Sequence, residues 1–178
     1  LPICMKRGAG RERIVEQLEM MRKAPNSFIR TSFIVGHPGE SEEEFEELLD
    51  FTKSFDFDRI NIFAYSDEED TSAYEMEEKI DTKTINKRIK KLDHIVKTKT
   101  QKSFEGRVGK DVLILIEGES SEHEFFMGAR ELLWAPNIDG EILVNDSDIE
   151  GVRVGGCYRA KISECAGDKL IATITDVA

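Results

Sequence analysis

Hydrophobic residues in the first third of the chain alternate between helical spacing and short apolar runs. Residues 11–24 place apolar side chains three and four positions apart, which predicts an amphipathic helix. The run at residues 33–35 predicts a strand, and Gly-His-Pro-Gly at residues 36–39 predicts the tight turn that ends it. A second amphipathic helix is predicted from residue 42 to about residue 54, with Ser41 as its capping residue.

A second strand and a long helix follow. Apolar residues at 59–66 predict a strand, and because a helix separates it from the first, the two should be parallel with a right-handed crossover. Residues 83–104 repeat apolar side chains at helical spacing. Nucleic-acid contact and simple solvation both account for the basic side chains of this helix. They are Lys87, Arg88, Lys90, Lys91, Lys97, Lys99 and Lys102.

After residue 105 the helical spacing disappears, and short strand-like runs alternate with turns rich in Gly, Ser and Asp. Such a series of short strands is typical of a small antiparallel barrel, closed or nearly closed. The sequence therefore predicts an α/β domain at residues 1–104 and a five-stranded antiparallel β-barrel at residues 105–178. The five strands are predicted at residues 112–117, 124–129, 141–144, 158–162 and 170–175.

The chain is acidic, with 25 Lys and Arg against 36 Asp and Glu and a net charge of −11. Residues 105–178 hold 7 of those bases and 15 of the acids, so this segment carries a net charge of −8. Because RNA binding needs Lys and Arg to displace counterions, the barrel is expected to meet a basic protein surface, or no partner at all, rather than RNA. No apolar run is long enough to span a membrane, so no membrane partner is expected.

The cysteines and histidines form no recognisable cluster. Cys4, Cys157 and Cys165 are odd in number and far apart, which favours a reducing, cytoplasmic setting without a disulfide framework. The three histidines are scattered too, and no group has the spacing of metal ligands, so no metal site is expected from this chain alone. The chain begins Leu-Pro-Ile, and the first residues of the natural protein are therefore expected to be absent.

The turn at residues 36–39 is the clearest candidate binding site, because ligands of α/β proteins lie at the carboxyl ends of parallel strands. Gly36 and Gly39 have no side chain to keep a flat ligand from the backbone, and Pro38 stiffens the turn. Four glutamates crowd the start of the next helix and would repel a phosphate. The turn therefore suits a neutral or cationic ligand, although a buried strand followed by a capped helix accounts for the same residues.

Three segments together resemble the methylthiotransferases of the radical S-adenosylmethionine superfamily. They are residues 30–41, the Ile-Phe-Ala-Tyr-Ser run at 62–66 and the Trp-Ala-Pro-Asn-Ile-Asp-Gly run at 134–140. The Met-Lys-Arg-Gly sequence at residues 5–8 also resembles a loop of that family. The third segment and the acidic barrel resemble the members that methylthiolate an aspartate of a ribosomal small-subunit protein more than the tRNA-modifying members.

The resemblance implies that residues 1–104 are the C-terminal part of a radical S-adenosylmethionine (βα) partial barrel and that residues 105–178 are a TRAM domain. It implies S-adenosylmethionine as cofactor, and Trp134 and Asp139 as contacts of the substrate protein. No catalytic residue and no metal ligand of the family falls within this chain. The residues implied in cofactor binding are Ile34, Gly36, Pro38, Gly39, Phe63 and Tyr65 around the adenine, with Arg30 and Thr31 at its polar groups.

This sequence also departs from the family. Ser32 replaces the first Gly of the strand pattern Gly-x-Ile-x-Gly-x-x-Glu, and Glu40 comes one residue late. The family holds two [4Fe–4S] clusters with two sets of three cysteines, and neither set is present here. The resemblance therefore implies two clusters in the full-length enzyme, with ligands outside this chain, and an inactive chain in isolation.

Two alternatives remain open at this point. One is a tRNA-modifying relative whose barrel binds RNA, and the other is a cluster-less, non-catalytic binding module. The family pattern also has a longer segment between the parts that resemble Leu-Pro-Ile at residues 1–3 and Met5, so residues are expected to be missing there.

Overall fold

The computed structural model describes residues 10–24, 27–120, 124–167 and 169–178. The chain divides into two compact units, Leu1–Thr98 and Lys99–Ala178, which we call the N-terminal and C-terminal units. The elements in chain order are α1 (Arg11–Arg22), β1 (Arg30–Val35), α2 (Glu42–Ser54), β2 (Arg59–Ala64), α3 (Thr82–Glu105), β3 (Asp111–Glu119), β4 (Met127–Glu131), β5 (Ile142–Ser147), β6 (Cys157–Ala166) and β7 (Lys169–Val177). Helix α3 runs across the boundary between the units.

The strands β1 and β2 pair in parallel, as predicted, with Phe33 opposite Ile62 and Ile34 opposite Phe63. Helix α2 lies between them in sequence and begins at a complete capping box, in which the side chains of Ser41 and Glu44 each accept from the backbone N–H of the other. The α/β class of this part of the chain is confirmed.

One face of the two-stranded sheet forms the core of the N-terminal unit. Val35, Phe45, Leu49 and Leu92 are buried together, and they come from β1, α2 and α3. Side chains alternate along a strand, so Ile34, which precedes Val35 in β1, turns to the opposite face. The prediction for α1 was less accurate, because the helix ends at Arg22 and its apolar Met21 is exposed.

The C-terminal unit is a closed five-stranded barrel in the order β3-β4-β5-β7-β6. Alternate residues are buried from Tyr158 to Ile162 in β6 and from Leu170 to Ile174 in β7, and two of these six are alanines, as expected for the narrow interior of a small barrel. Closure and strand number are therefore as predicted. The barrel is not wholly antiparallel, because β5 and β7 pair in parallel. A closed ring with an odd number of strands cannot alternate in direction at every pair, so at least one parallel pair is unavoidable.

The predicted strand bounds were least accurate at β4. We predicted this strand at residues 124–129, whereas it covers Met127–Glu131. The N–H of Ser120 donates to the carbonyl of Phe126 (3.0 Å), and the residues just before Met127 therefore belong to the turn.

Candidate functional site

The exposed face of the β1–β2 sheet carries two apolar side chains at positions where polar side chains would be expected. Ile34 is 46% exposed and Phe63 is 55% exposed. They are direct partners in the parallel register, so they lie side by side on the face opposite the core. An uncovered, flat apolar pair at the carboxyl ends of parallel strands is suited to an aromatic ring system.

The turn after β1 packs against later parts of this chain where we expected its backbone to be open. Gly36 is buried with φ +90°, and a Cβ there would lie 2.5 Å from Cγ1 of Ile85 on α3. Gly39 has φ +79°, and its N–H donates to the carbonyl of Glu78 (2.9 Å). The glycines therefore permit positive φ and the close approach of later parts of this chain. The interpretation that Gly36 leaves its backbone bare for a ligand was wrong.

A buried ion pair holds this turn against α3. Oε1 of Glu40 lies 2.6 Å from Nη1 of Arg88, and Oε2 accepts from the N–H of Gly36 at 3.2 Å. Arg88 also donates to the backbone carbonyl of Glu40 (3.1 Å) and pairs with Glu42 (3.0 Å). Burial raises the pKa of Glu40, while the bond from Gly36 and the charge of Arg88 act against that rise.

This ion pair makes the turn less negative than the sequence suggested. The sequence placed Arg88 on a solvated basic face, but the structure buries it. Its guanidinium pairs with two of the four glutamates that we expected to repel an anion, Glu40 and Glu42, and offsets part of their charge. A further carboxylate, Glu46 of α2, lies 3.1 Å from Nζ of Lys91. The spacing of Ile85, Arg88 and Leu92 at i, i+3 and i+7 could have revealed that Arg88 shares the apolar face of α3.

Tyr65 lies beside this turn, just beyond the end of β2. Its N–H donates to the carbonyl of Val35 (2.8 Å), and its ring meets that of His37 edge-on at 5.4 Å. Its hydroxyl donates to Asp67 (2.8 Å), and Nζ of Lys79 lies 5.8 Å from the centre of the ring. Desolvation raises the pKa of Tyr65, and the bond to Asp67 acts in the same direction. The two strand ends thus meet at one rim, as the sequence predicted.

The other predicted cofactor residues are divided between this rim and the far end of the sheet. Pro38 is buried within the turn. Arg30 and Thr31 lie at the opposite end of β1, and Arg30 is about 16 Å from Val35 at the usual rise of a strand. The structure therefore brings Ile34, Phe63 and Tyr65 toward one end of the sheet and leaves Arg30 and Thr31 apart from them.

The two predicted substrate contacts in the barrel are buried. Trp134 is 2% exposed and stacks on Phe104 (centroids 6.1 Å apart, 12° between planes). Asp139 is 1% exposed, and its carboxylate accepts from the N–H of Ala135 (2.6 Å). Both side chains shape the loop between β4 and β5 from within, so direct contact with a docking protein does not fit their burial.

A cluster site is not apparent in the described part of the chain. Among residues 10–24, 27–120, 124–167 and 169–178, no three His, Cys, Asp or Glu side chains are grouped so that they could hold a metal ion. Cys157 and Cys165 lie on β6, while Cys4 and His123 are outside the described residues. No helix within the described ranges is long and apolar enough to cross a membrane.

Comparisons with known proteins agree with these features. A TRAM domain model matches residues 108–175, which contain most of the barrel. The chain is 53% identical over 170 residues to the ribosomal protein uS12 methylthiotransferase RimO of Nitratiruptor sp., covering 96% of this chain and 39% of that protein. The RimO proteins of Sulfurimonas denitrificans and Campylobacter jejuni are 54% and 52% identical over 95% and 94% of this chain, and 39% and 38% of those proteins is covered. The chain thus spans about two fifths of the length of these curated relatives.

Proposed function

We propose that this chain, which is similar to RimO methylthiotransferases over the segment that it spans, is part of an enzyme that methylthiolates an aspartate of ribosomal protein uS12. The observation that supports this proposal is the 53% sequence identity to RimO of Nitratiruptor sp. over 96% of the chain, which includes both the sheet rim and the barrel. The enzyme is proposed to be cytoplasmic, since its substrate is a ribosomal protein.

The uncovered face of the β1–β2 sheet is the proposed seat of the adenine of S-adenosylmethionine. Ile34 and Phe63 offer the apolar surface that an uncharged ring requires, and Tyr65 borders it. When bound, S-adenosylmethionine and two [4Fe–4S] clusters supply the radical and sulfur chemistry, and the cluster ligands are proposed to lie outside this chain. Gly36, Pro38 and Gly39 act by fixing the turn, and the buried Glu40–Arg88 pair holds that turn against α3.

The proposed cofactor face is tested by binding of S-adenosylmethionine to the cluster-loaded enzyme. Ile34→Asp and Phe63→Ser should each raise the dissociation constant at least about tenfold, because a charged or polar group replaces apolar surface against the ring. Met20→Ser, on the exposed surface of α1, is the matched control and should leave binding unchanged. Unchanged affinity in both sheet variants would rule out this location.

The barrel is the proposed docking surface for uS12 on grounds of charge. Its carboxylates on the exposed surface outnumber its bases, whereas those nearer the interior are paired, as in Glu131 with Arg107 (2.7 Å) and Glu141 with Lys169 (2.9 Å). Nine exposed carboxylates lie on the outside, and of these Glu117 pairs with Arg130 at 2.8 Å. The nine are Asp111, Glu117, Glu119, Glu124, Asp146, Asp148, Glu150, Glu164 and Asp176. The negative electrostatic potential of these carboxylates raises the encounter rate with a basic protein more than it raises the affinity of the final complex.

Docking is tested by measuring association of the protein with purified uS12 at increasing ionic strength. Binding should weaken with salt, and a triple variant of the barrel, Asp148→Asn/Glu150→Gln/Asp176→Asn, should reduce that dependence. The matched control removes three exposed carboxylates of α1, with Glu12→Gln/Glu16→Gln/Glu19→Gln. Docking on the barrel would be contradicted if the affinity did not change with salt concentration, or if both variants reduced the salt dependence equally.

A further inference from the structure

The exposed side of helix α3 carries a basic stripe. We define the stripe as Lys83, Lys87, Lys90 and His94, whose spacing of four, three and four residues aligns them along one line of the helix. All four side chains are exposed. At 1.5 Å per residue the stripe is about 16 Å long.

The lysines of the stripe are not balanced by nearby carboxylates. Within the described ranges, Lys83, Lys87 and Lys90 form no ion pair, in a protein with a large excess of acidic groups. The lysines at its margins behave differently, because Lys91 pairs with Glu46 (3.1 Å) and Lys97 pairs with Asp93 (2.8 Å). The positive charge is thus concentrated along the stripe itself.

The three lysines of the stripe also border an open depression of about 820 Å³. Its lining consists of Thr82, Lys83, Asn86, Lys87, Lys90 and Lys91. Every one of these side chains ends in a hydrogen-bond donor, and Asp81, the carboxylate that precedes the helix, is occupied by Thr84 (3.0 and 2.6 Å). Apolar side-chain stems form most of this lining, so the positive charge and the hydrogen-bond donors are confined to the side-chain ends.

The stability of helix α3 does not explain why lysines occupy its first two turns. Lys83 and Lys87 lie in the first two turns of α3, where the helix dipole disfavours positive charge. No acidic residue occupies the first turn, and the carboxylate of the capping residue, Asp81, is bonded to Thr84. An anionic partner would offset the remaining unfavourable charge.

We propose that the basic stripe of α3 binds the phosphate backbone of RNA. A polymer with regularly spaced negative groups matches a row of lysines repeated every 4.5–6 Å along the axis, at 1.5 Å per residue. The net charge of −11 does not prevent this, because charges beyond the Debye length of about 8 Å are screened at physiological salt. This inference assigns RNA to α3 and not to the acidic barrel, and it does not depend on the methylthiolation proposal.

The test is binding of a fluorescein-labelled polyuridine strand, measured by anisotropy at increasing KCl. The unmodified protein should bind at low salt, and Lys83→Glu/Lys87→Glu/Lys90→Glu should lose at least about tenfold in affinity. Its slope of log affinity against log salt should fall by about 2, since each contact to a single strand contributes roughly 0.7. The matched control reverses three charges on the barrel, with Lys110→Glu/Arg159→Glu/Lys161→Glu, and should keep the original slope.

A milder variant and two competitors separate the effect of charge from loss of folding and from binding to other polyanions. A milder variant, Lys83→Gln/Lys87→Gln/Lys90→Gln, should show the same loss of slope, and its circular dichroism melt identifies any loss of folding. Equal slopes for the α3 and barrel variants, or absence of binding by the unmodified protein at low salt, would overturn the proposal. Displacement of the RNA by polyglutamate or anionic phosphatidylserine vesicles as readily as by unlabelled RNA would overturn the assignment to RNA.

Discussion

At the scale of single residues, the most informative contact is between Gly36 and Ile85. These residues are 49 positions apart, yet a Cβ on the glycine would lie 2.5 Å from the isoleucine side chain. A sequence pattern shows that a glycine ends the strand, but it does not show which element needs the space. Here that element is α3.

We expect Gly36→Ala to destabilise the N-terminal unit by about 2 kcal/mol or more, because it combines a positive φ with a steric overlap. Gly39→Ala is the matched comparison, since its φ is similar but its nearest neighbour is the flexible carboxylate of Glu78 at 3.1 Å. Urea denaturation measures both. Adding Ile85→Ala should recover part of the loss caused by Gly36→Ala relative to Ile85→Ala alone, and the absence of coupling would contradict the packing explanation.

Arg88 gives a second prediction at this scale. Arg88→Met should cost about 3–5 kcal/mol, because it leaves the buried carboxylate of Glu40 without its cation. The double variant Glu40→Gln/Arg88→Met should be more stable than Arg88→Met alone. Lys91→Met is the control, since its ion pairs are at the surface and should contribute at most about 1 kcal/mol. Similar unfolding midpoints for Arg88→Met and Lys91→Met would refute a structural role for the buried pair.

At the scale of elements, the start of α3 depends on a charged cap. The carboxylate of Asp81 accepts from the N–H of Thr84 (3.0 Å) and from its hydroxyl (2.6 Å), and these bonds lower the pKa of Asp81. Because the folded pKa lies below the unfolded one, the resulting stability is present above the unfolded pKa. It is lost as the pH falls through the folded pKa.

Asp81→Ala should therefore lower the melting temperature at neutral pH and reduce its decline toward acid. Asp81→Asn keeps an acceptor oxygen for Thr84 but cannot ionise, so it should preserve more of the stability and show the same weakened pH dependence. Circular dichroism melts from neutral pH to below about pH 3.9 follow both effects. If the wild type and Asp81→Asn declined in parallel, the cap would not be the source of the acid sensitivity.

The closed barrel shows the same dependence of an element on its neighbours. Alternating burial along β6 and β7 follows directly from their sequences. The parallel pairing of β5 with β7 does not, because it arises from the closure of five strands into one ring. The loop between β4 and β5 likewise acquires its shape from the barrel, which buries Trp134 and Asp139.

At the scale of the whole molecule, the N-terminal unit has an open sheet. Among the described residues that sheet has two strands, so β1 and β2 each have one edge without a strand partner. Ile34 and Phe63 add exposed apolar surface on its face. Unpaired edges and apolar surface both promote association between chains.

The isolated chain should therefore self-associate with increasing concentration, as measured by sedimentation velocity. Ile34→Glu/Phe63→Glu should reduce the association, whereas Val154→Glu/Val177→Glu, on exposed valines of the C-terminal unit, should not. A monomeric sample with one cooperative melt would contradict this prediction. The same sample supplied with iron, sulfide, reductant and S-adenosylmethionine should yield no cleavage of the cofactor.

Most of the local structure follows from the sequence. Apolar spacing predicted α2, α3 and both parallel strands within a few residues, because side-chain periodicity reflects the geometry of each element. The loss of helical spacing after residue 105 likewise predicted a five-stranded barrel, and the short motifs resemble those of the methylthiotransferases, to which the similar proteins belong.

Only the tertiary structure decided which distant groups meet. It buried Arg88 against Glu40, placed Ile85 over Gly36 and removed Trp134 from the barrel surface. These contacts join residues far apart in the chain, and their energies depend on packing and desolvation, neither of which is a property of the local sequence. The residues available for binding are therefore those that the fold leaves exposed, and the sequence alone does not show which residues these are.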